Sequence, residues 1–144
     1  MYKLREAVIE DFAALALIHN DPENSHLTDK QEKIDQDFIE QVLQSGAGRI
    51  YIVEKSGNIV GFILFHIKLD QGTIYIDHFS IHQAYERKGI NEHLFQKVKR
   101  LAERQGIKQM KATLTTANPI VQTFFEEKGW QSDGAETNKK LIIK

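Results

Sequence analysis

Apolar residues return at two intervals along this chain, and the switches between them mark its elements. Tyr2 to Arg5 reads as a short strand. After Asp11, Phe12, Leu15 and Ile18 recur at helical spacing, with Ala16 and Leu17 widening the stripe. Asp21-Pro22-Glu23-Asn24-Ser25 breaks that helix. A polar stretch leads to Ile34, Phe38, Ile39, Val42 and Leu43, which mark a second helix, stopped by Ser45-Gly46-Ala47-Gly48. Arg49 to Glu54 is rich in β-branched and aromatic residues, Lys55 to Asn58 is a turn, and Ile59 to Leu69 returns, so the pair predicts a hairpin. Asp70-Gln71-Gly72 turns into a further strand, Thr73 to His82.

The period then lengthens. Ile90, Leu94, Phe95, Val98, Leu101 and Ala102 predict a helix ending at Gln105-Gly106, followed by a strand from Ile107 to Thr115. Asn118-Pro119 suits a cap and first turn, opening a helix through Val121, Phe124 and Phe125 to Gly129. Trp130 and Leu141 to Ile143 fall on tail strands. The predicted order is β-α-α-β-β-β-α-β-α-β-β. The strand–helix–strand run over residues 73–115 is a crossover unit, which places a central parallel pair inside a mixed, mostly antiparallel sheet flanked by helices. The expected fold class is α+β, in three layers, as a single domain over residues 1–144.

Composition narrows the function classes. The chain has no cysteine, which excludes disulfides, thiolate-bound zinc and a thiol nucleophile. A net charge of −1 argues against a general nucleic-acid binder. The longest nearly uncharged run, Ile59 to Ile67, is far shorter than the roughly 20 residues of a membrane helix. MYKLREAVIEDF carries acids early and has no apolar core of a signal peptide, so a cytoplasmic location without membrane contact is expected. Charge is segregated, however. Residues 20–40 hold seven acids against two bases, and residues 86–111 hold eight bases against three acids. One end is suited to an anion and the other to a cation, although two solvated helix faces give the same pattern.

The chemistry concentrates in His82-Gln83-Ala84-Tyr85-Glu86-Arg87-Lys88-Gly89-Ile90-Asn91-Glu92-His93-Leu94, which joins a strand to the long helix. A helix start carries unpaired amides and the positive end of its dipole, and so attracts phosphate. Gly89 permits close backbone approach, and Arg87 and Lys88 add charge. The spacing lacks the second glycine and the hydroxyl of a nucleoside-triphosphate loop. An ordinary exposed turn would also fit these residues. The next strand leads to Asn118-Pro119-Ile120-Val121-Gln122-Thr123-Phe124-Phe125-Glu126-Glu127-Lys128-Gly129-Trp130.

With both segments in this order, the chain resembles the GNAT superfamily of acetyl-CoA-dependent N-acyltransferases across essentially its whole length. The resemblance implies a GNAT-like three-layer fold and acetyl transfer from acetyl-CoA, as acyl donor, to a primary amine of a small molecule or peptide. By the same token, Ile81 matches the aliphatic position whose backbone pairs with the pantetheine arm, which fills a gap between splayed strands like an added strand. Arg87, Lys88, Gly89, Ile90, Asn91 and Glu92 match the loop and helix start around the pyrophosphate. Asn118 matches the family asparagine that touches the cofactor, and Phe125 the position lining the thioester pocket. Three residues depart from the family pattern. Glu86 stands for the usual arginine or glutamine, Asn91 for a small residue, and Phe125 for the tyrosine that protonates the departing thiolate. These departures favour an alternative, a catalytically weak acyl-CoA-binding sensor or interaction module.

Transfer to nitrogen needs a base, directly or through water. Asp77 lies four residues before Ile81, the spacing of a proposed base in polyamine-type members of the family; a satisfied structural carboxylate is the plainer reading. Strand alternation puts Asp77, Phe79 and Ile81 on one face, with His78, Ser80 and His82 on the other. His78 and His82 stand about 13 Å apart on a strand, too far to share an ion, and no metal is expected. His82 remains a possible base or phosphate neighbour, while His19, His26, His66 and His93 have no motif around them. The acidic run at residues 20–40 falls where the family builds its acceptor wall, so the expected acceptor is a cationic amine, with a homodimer possible.

Overall fold

The computed structural model describes residues 2–29, 33–86, 88–115 and 119–143, with Ala135 and Glu136 described by backbone alone. Eight strands and four helices follow in the order β1 (Tyr2–Glu6), α1 (Phe12–Asn20), β2 (Ser25–His26), α2 (Gln36–Gln44), β3 (Gly48–Lys55), β4 (Asn58–Lys68), β5 (Thr73–Ile81), α3 (Ile90–Arg104), β6 (Gln109–Thr113), α4 (Pro119–Glu127), β7 (Gln131–Asp133) and β8 (Ala135–Ile142). The sheet runs β1-β3-β4-β5-β6-β8-β7, with β2 paired to β5 off that path. Among the described residues the only parallel pairing in this sheet is β5 with β6, from Thr73↔Gln109 to Ile76↔Ala112. Among the described residues no helix is long and apolar enough to cross a membrane.

Local chemistry accounts for the elements that matter here. Ser56 and Gly57 both take positive φ, 53° and 82°, the two-residue turn whose twist matches a hairpin, and Lys55 pairs with Asn58 across it. Asp35 caps α2 by accepting the Phe38 amide at 2.8 Å. The alternation along β4 sorts the core into two layers. Ile63, Phe65 and Ile67 pack with Leu94, Phe95 and Val98 of α3 and with Val121 and Phe125 of α4. Phe62 and Leu64 face Leu15 and Ile18 of α1 and Ile39 and Val42 of α2. A strand paired on both edges and covered on both faces is strongly held.

β5 does not keep its alternation. Phe65 pairs with Ile76 and Leu64 with His78, so Asp77 is an extra residue inserted in the β4–β5 register, a β-bulge. Parallel pairing with β6 ends beside it, at Ile76↔Ala112. The even alternation expected through this strand therefore fails at Asp77: Ile76 and Phe79 share the α3 core, while His78 is wholly buried against His19 and Phe38 on the opposite side.

Candidate active site

The loop after β5 builds one wall of a cavity. His82 Nδ1 accepts the Ala84 amide at 3.1 Å and ties off a short 3-10 turn over Gln83–Tyr85. Gly89 then caps α3 with φ of 79°, a left-handed conformation, and a Cβ added there would meet nothing within 4 Å. The first amides of α3, Ile90 to Glu92, have no acceptor within the helix. Their side chains diverge. Ile90 is buried in the core, Asn91 lines the cavity, and Lys88 is exposed. The cavity measures about 260 Å³ and is lined by Ser25, Leu27, Ile81, Tyr85, Glu86, Asn91, Ile120, Val121 and Phe124. It is an apolar slot beside a helix start, which suits a chain with an anionic head.

Glu92 turns elsewhere. Its carboxylate meets Nζ of Lys128, the residue just after α4, at 2.5 Å and accepts from Gln96 at 3.1 Å. Burial disfavours the ionised form, but the bonds from Lys128 and Gln96 outweigh it and hold the carboxyl below its ordinary value. Lys128 also lies 4.9 Å from the centre of the Phe124 ring, so this pair fixes α4 against the start of α3.

Between β5 and β6 the sheet is closed by residues 25–29, a strap. Ser25 is in register with Ile81 and His26 with Ser80. The Leu27 amide donates to Phe79 O at 2.8 Å, and the Thr115 amide donates to Leu27 O at 3.2 Å. The Asp29 amide donates to Thr113 O at 2.9 Å, Thr28 bridges Leu114, and the Thr28 hydroxyl donates to Asp77 O at 3.0 Å. His26 anchors the strap through Ser80 Oγ at 2.7 Å and Asp21 O at 2.8 Å. The β5 edge expected to receive the pantetheine at Ile81 is thus paired with the chain's own β2.

On the other side of the strap lies a cavity of about 320 Å³, lined by Tyr75, Ile76, Asp77, Lys111, Ala112, Thr113, Asp133, Asn138 and Lys139. The Asp77 carboxylate is hydrogen-bonded to His66 Nδ1 on β4. When His66 Nδ1 carries the proton and donates it to Asp77, Nε2 is left as a lone-pair base. The side chains of Asp77 and His66 are 18% and 32% exposed, enough for water or substrate to reach the pair.

A family model described as the acetyltransferase (GNAT) family matches residues 11–130. The chain belongs to that family. Acetyl-CoA is the family's acyl donor. No curated protein sequence matches. Among solved structures, the chain is similar to the PaiA N-acetyltransferase of Thermoplasma acidophilum in complex with coenzyme A, with a TM-score of 0.81, 14% identity and 99% of each chain covered. The ribosomal-protein-S18-alanine N-acetyltransferase of Escherichia coli gives a TM-score of 0.77 at 12% identity, covering 99% of this chain and 91% of that one. A spermidine N-acetyltransferase SpeG mutant from Vibrio cholerae gives 0.78 at 14% identity, covering 98% and 93%. These likenesses show a GNAT fold.

Within this GNAT domain, Ile81 and Asn91 meet in one cavity, with Lys88, Gly89, Ile90 and Glu92 at the helix start beside it. Arg87 and Asn118 lie outside the described residues. Phe125 is 1% exposed and packs edge-on to Trp130 at 4.9 Å, inside the core, and its neighbour Phe124 lines the cavity instead. His66 is the residue that sequence reasoning left without a role and the structure brings to Asp77; only the β4–β5 register could have joined them. None of the described acids of residues 20–40 lines the Asp77 cavity, although Asp29 is bonded through its amide to the wall residue Thr113, and Glu32 lies outside the described residues. Asp35 caps α2, and Asp21 accepts the Glu23 amide at 2.9 Å. Among the described residues, no group of three potential ligands could hold a metal.

Proposed function

We propose that this GNAT domain, spanning residues 1–144, transfers acetyl from acetyl-CoA to a primary amine of a small molecule or peptide. The observation that carries the reading is the presence of two cavities beside the β5–β6 gap, one apolar at a helix start and one lined by Asp77, whose carboxylate is hydrogen-bonded to His66. In the donor cavity, Leu27, Ile81, Val121 and Phe124 enclose the pantetheine. The amides of Ile90, Asn91 and Glu92, with Lys88 and Arg87, meet the pyrophosphate at Gly89. Asn118 also contacts the donor, and Phe125 supports Phe124 from behind. The Asn91 amide compensates for the missing small residue, and Glu86 restricts the slot's mouth.

On the acceptor side, the amine nitrogen attacks the thioester carbonyl carbon directly, the C–S bond breaks and CoA leaves as thiolate. His66, held by Asp77, removes the amine proton, directly or through water. No covalent intermediate on the protein is needed. Because the strap separates the cavities, the thioester crosses only when residues 25–29 yield. The S18-alanine and spermidine enzymes show that this fold serves amines of very different size.

Calorimetry with acetyl-CoA and an amine panel read by CoA release tests the reading. Asp77→Asn is expected to lower kcat by about 10²-fold with acetyl-CoA affinity unchanged. Absence of acetyl-CoA binding, or full activity in Asp77→Asn, overturns it.

A further inference from the structure

Glu92 is the third residue of α3, and its carboxylate is turned away from the helix start beside it. Side chains in a helix lean toward its N-terminus, and an acid at the third position commonly reaches back to accept the amide that opens the helix. Here both carboxylate oxygens are committed elsewhere. Oε1 accepts from Gln96 Nε2, one turn on, at 3.1 Å, and Oε2 meets Lys128 Nζ at 2.5 Å. Lys128 is itself held in place. Its amide donates to Phe125 O at 3.1 Å at the end of α4, and Gly129 follows in a left-handed conformation with φ of 90°. Its ammonium stands over the ring of Phe124, which lines the donor cavity.

We infer that Lys128 is a positioning residue for the donor: it holds the Glu92 carboxylate off the opening amides of α3, which are thereby kept for the pyrophosphate. This rests on the acetyl-CoA reading of the donor cavity. A carboxylate and a pyrophosphate are rivals for one helix end, because each is drawn to the same unpaired amides and the same dipole. With Lys128 in place, the Glu92 charge is neutralised and tied toward α4. Without it, the carboxylate is free to swing back and cap α3 as an internal competitor of the donor. Lys128 therefore acts on the donor through Glu92 and needs no contact with the phosphates. A brace between α3 and α4 would use the same bond differently, since loss of either partner would then loosen the cavity alike.

The test is a double-mutant cycle read by calorimetry with acetyl-CoA at about 0.15 M salt, where distant charges are screened. Lys128→Met should weaken binding about fivefold, the effect of an anion settling on a helix N-terminus. Glu92→Gln should tighten it about twofold, and the double variant should bind within about twofold of the parent protein. Lys128→Arg, which keeps the ion pair, should bind like the parent. Should Lys128→Met fold poorly, Glu92→Gln decides alone, because a brace predicts that it weakens binding. Equal weakening by the two single changes would make the pair a brace, and a double variant as weak as Lys128→Met would put Lys128 on the phosphates. Either result overturns the inference while leaving acetyl-CoA binding standing. A second readout needs no donor. In the unliganded protein, hydrogen exchange of the Gly89 amide, followed by NMR, should slow in Lys128→Met and return to the parent rate when Glu92→Gln is added. Exchange unchanged by Lys128→Met overturns the inference, whereas a parent protein that binds no acetyl-CoA overturns the donor reading instead.

Discussion

Cysteines in place of Thr28 and Leu114 would tie the strap to the residue just after β6, at the bridge they already form. Facing residues in an antiparallel ladder have Cα atoms about 4.5–5.5 Å apart, within the range a disulfide spans. The chain has no cysteine of its own, so the engineered pair has no competing partner. Residues 27–29 of the strap are held by three backbone bonds of 2.8–3.2 Å, by the 3.0 Å bond from Thr28 to Asp77 O, and by Leu27, which is 3% exposed. At about 1 kcal/mol for each bond and about 2 kcal/mol for the leucine, releasing this stretch while β2 stays paired costs roughly 6 kcal/mol, an open fraction of about 10⁻⁴.

If transfer draws on that open fraction, the strap's stability appears in kcat. Oxidation of the double variant should reduce kcat more than about 100-fold, with reversal on reduction, while acetyl-CoA affinity measured by calorimetry changes by no more than about threefold. The opposite perturbation, Thr28→Val, removes one bond of about 1 kcal/mol and should raise kcat about fivefold. Product is followed by mass, because a thiol reagent would also react with the new cysteines. An oxidised protein that turns over at the reduced rate refutes the reasoning and makes the strap a fixed wall past which the thioester already reaches the amine. A protein that binds acetyl-CoA in both states and turns over in neither is the sensor module suggested by Glu86, Asn91 and Phe125.

Two further outcomes follow from packing and charge. Phe124→Ala should weaken acetyl-CoA binding about tenfold with little loss of stability, and Phe125→Leu should cost about 1–2 kcal/mol of stability with binding unchanged; calorimetry and thermal melts separate them, and the reverse pattern would place Phe125 at the thioester. Arg5 donates to Asp11 at 2.9 and 3.0 Å and, against the opposing effect of burial, holds its carboxyl below the ordinary value. A depressed carboxyl contributes stability above its unfolded pKa of about 3.9 and loses it as pH falls through the folded value. Asp11→Asn should therefore cost about 1–2 kcal/mol near pH 7, and the gap to the parent protein should close as pH falls through the depressed folded value; a gap independent of pH would refute the assignment.

The sequence made the elements legible where structure is local. The Ser56-Gly57 turn, the Asp35 cap and the 3.6-residue stripe of α3 each carry their own signal within a few residues. β2 carries none, because Ser25 and His26 are strand residues only by virtue of Ile81 and Ser80, more than 50 positions away. The Asp77–His66 pair was hidden for a related reason: a two-residue period, continued through the strand, sends Asp77 to the face of Phe79 and Ile81. One inserted residue breaks that period. The same bulge ends the β5–β6 ladder at Ile76↔Ala112. Past that point the strands diverge far enough for the strap to enter. A single inserted position therefore both turns the candidate base toward His66 and opens the gap through which its thioester partner would have to pass. Deleting Asp77 would restore register with β4 and remove both features together, which substitution at Asp77 alone leaves separable.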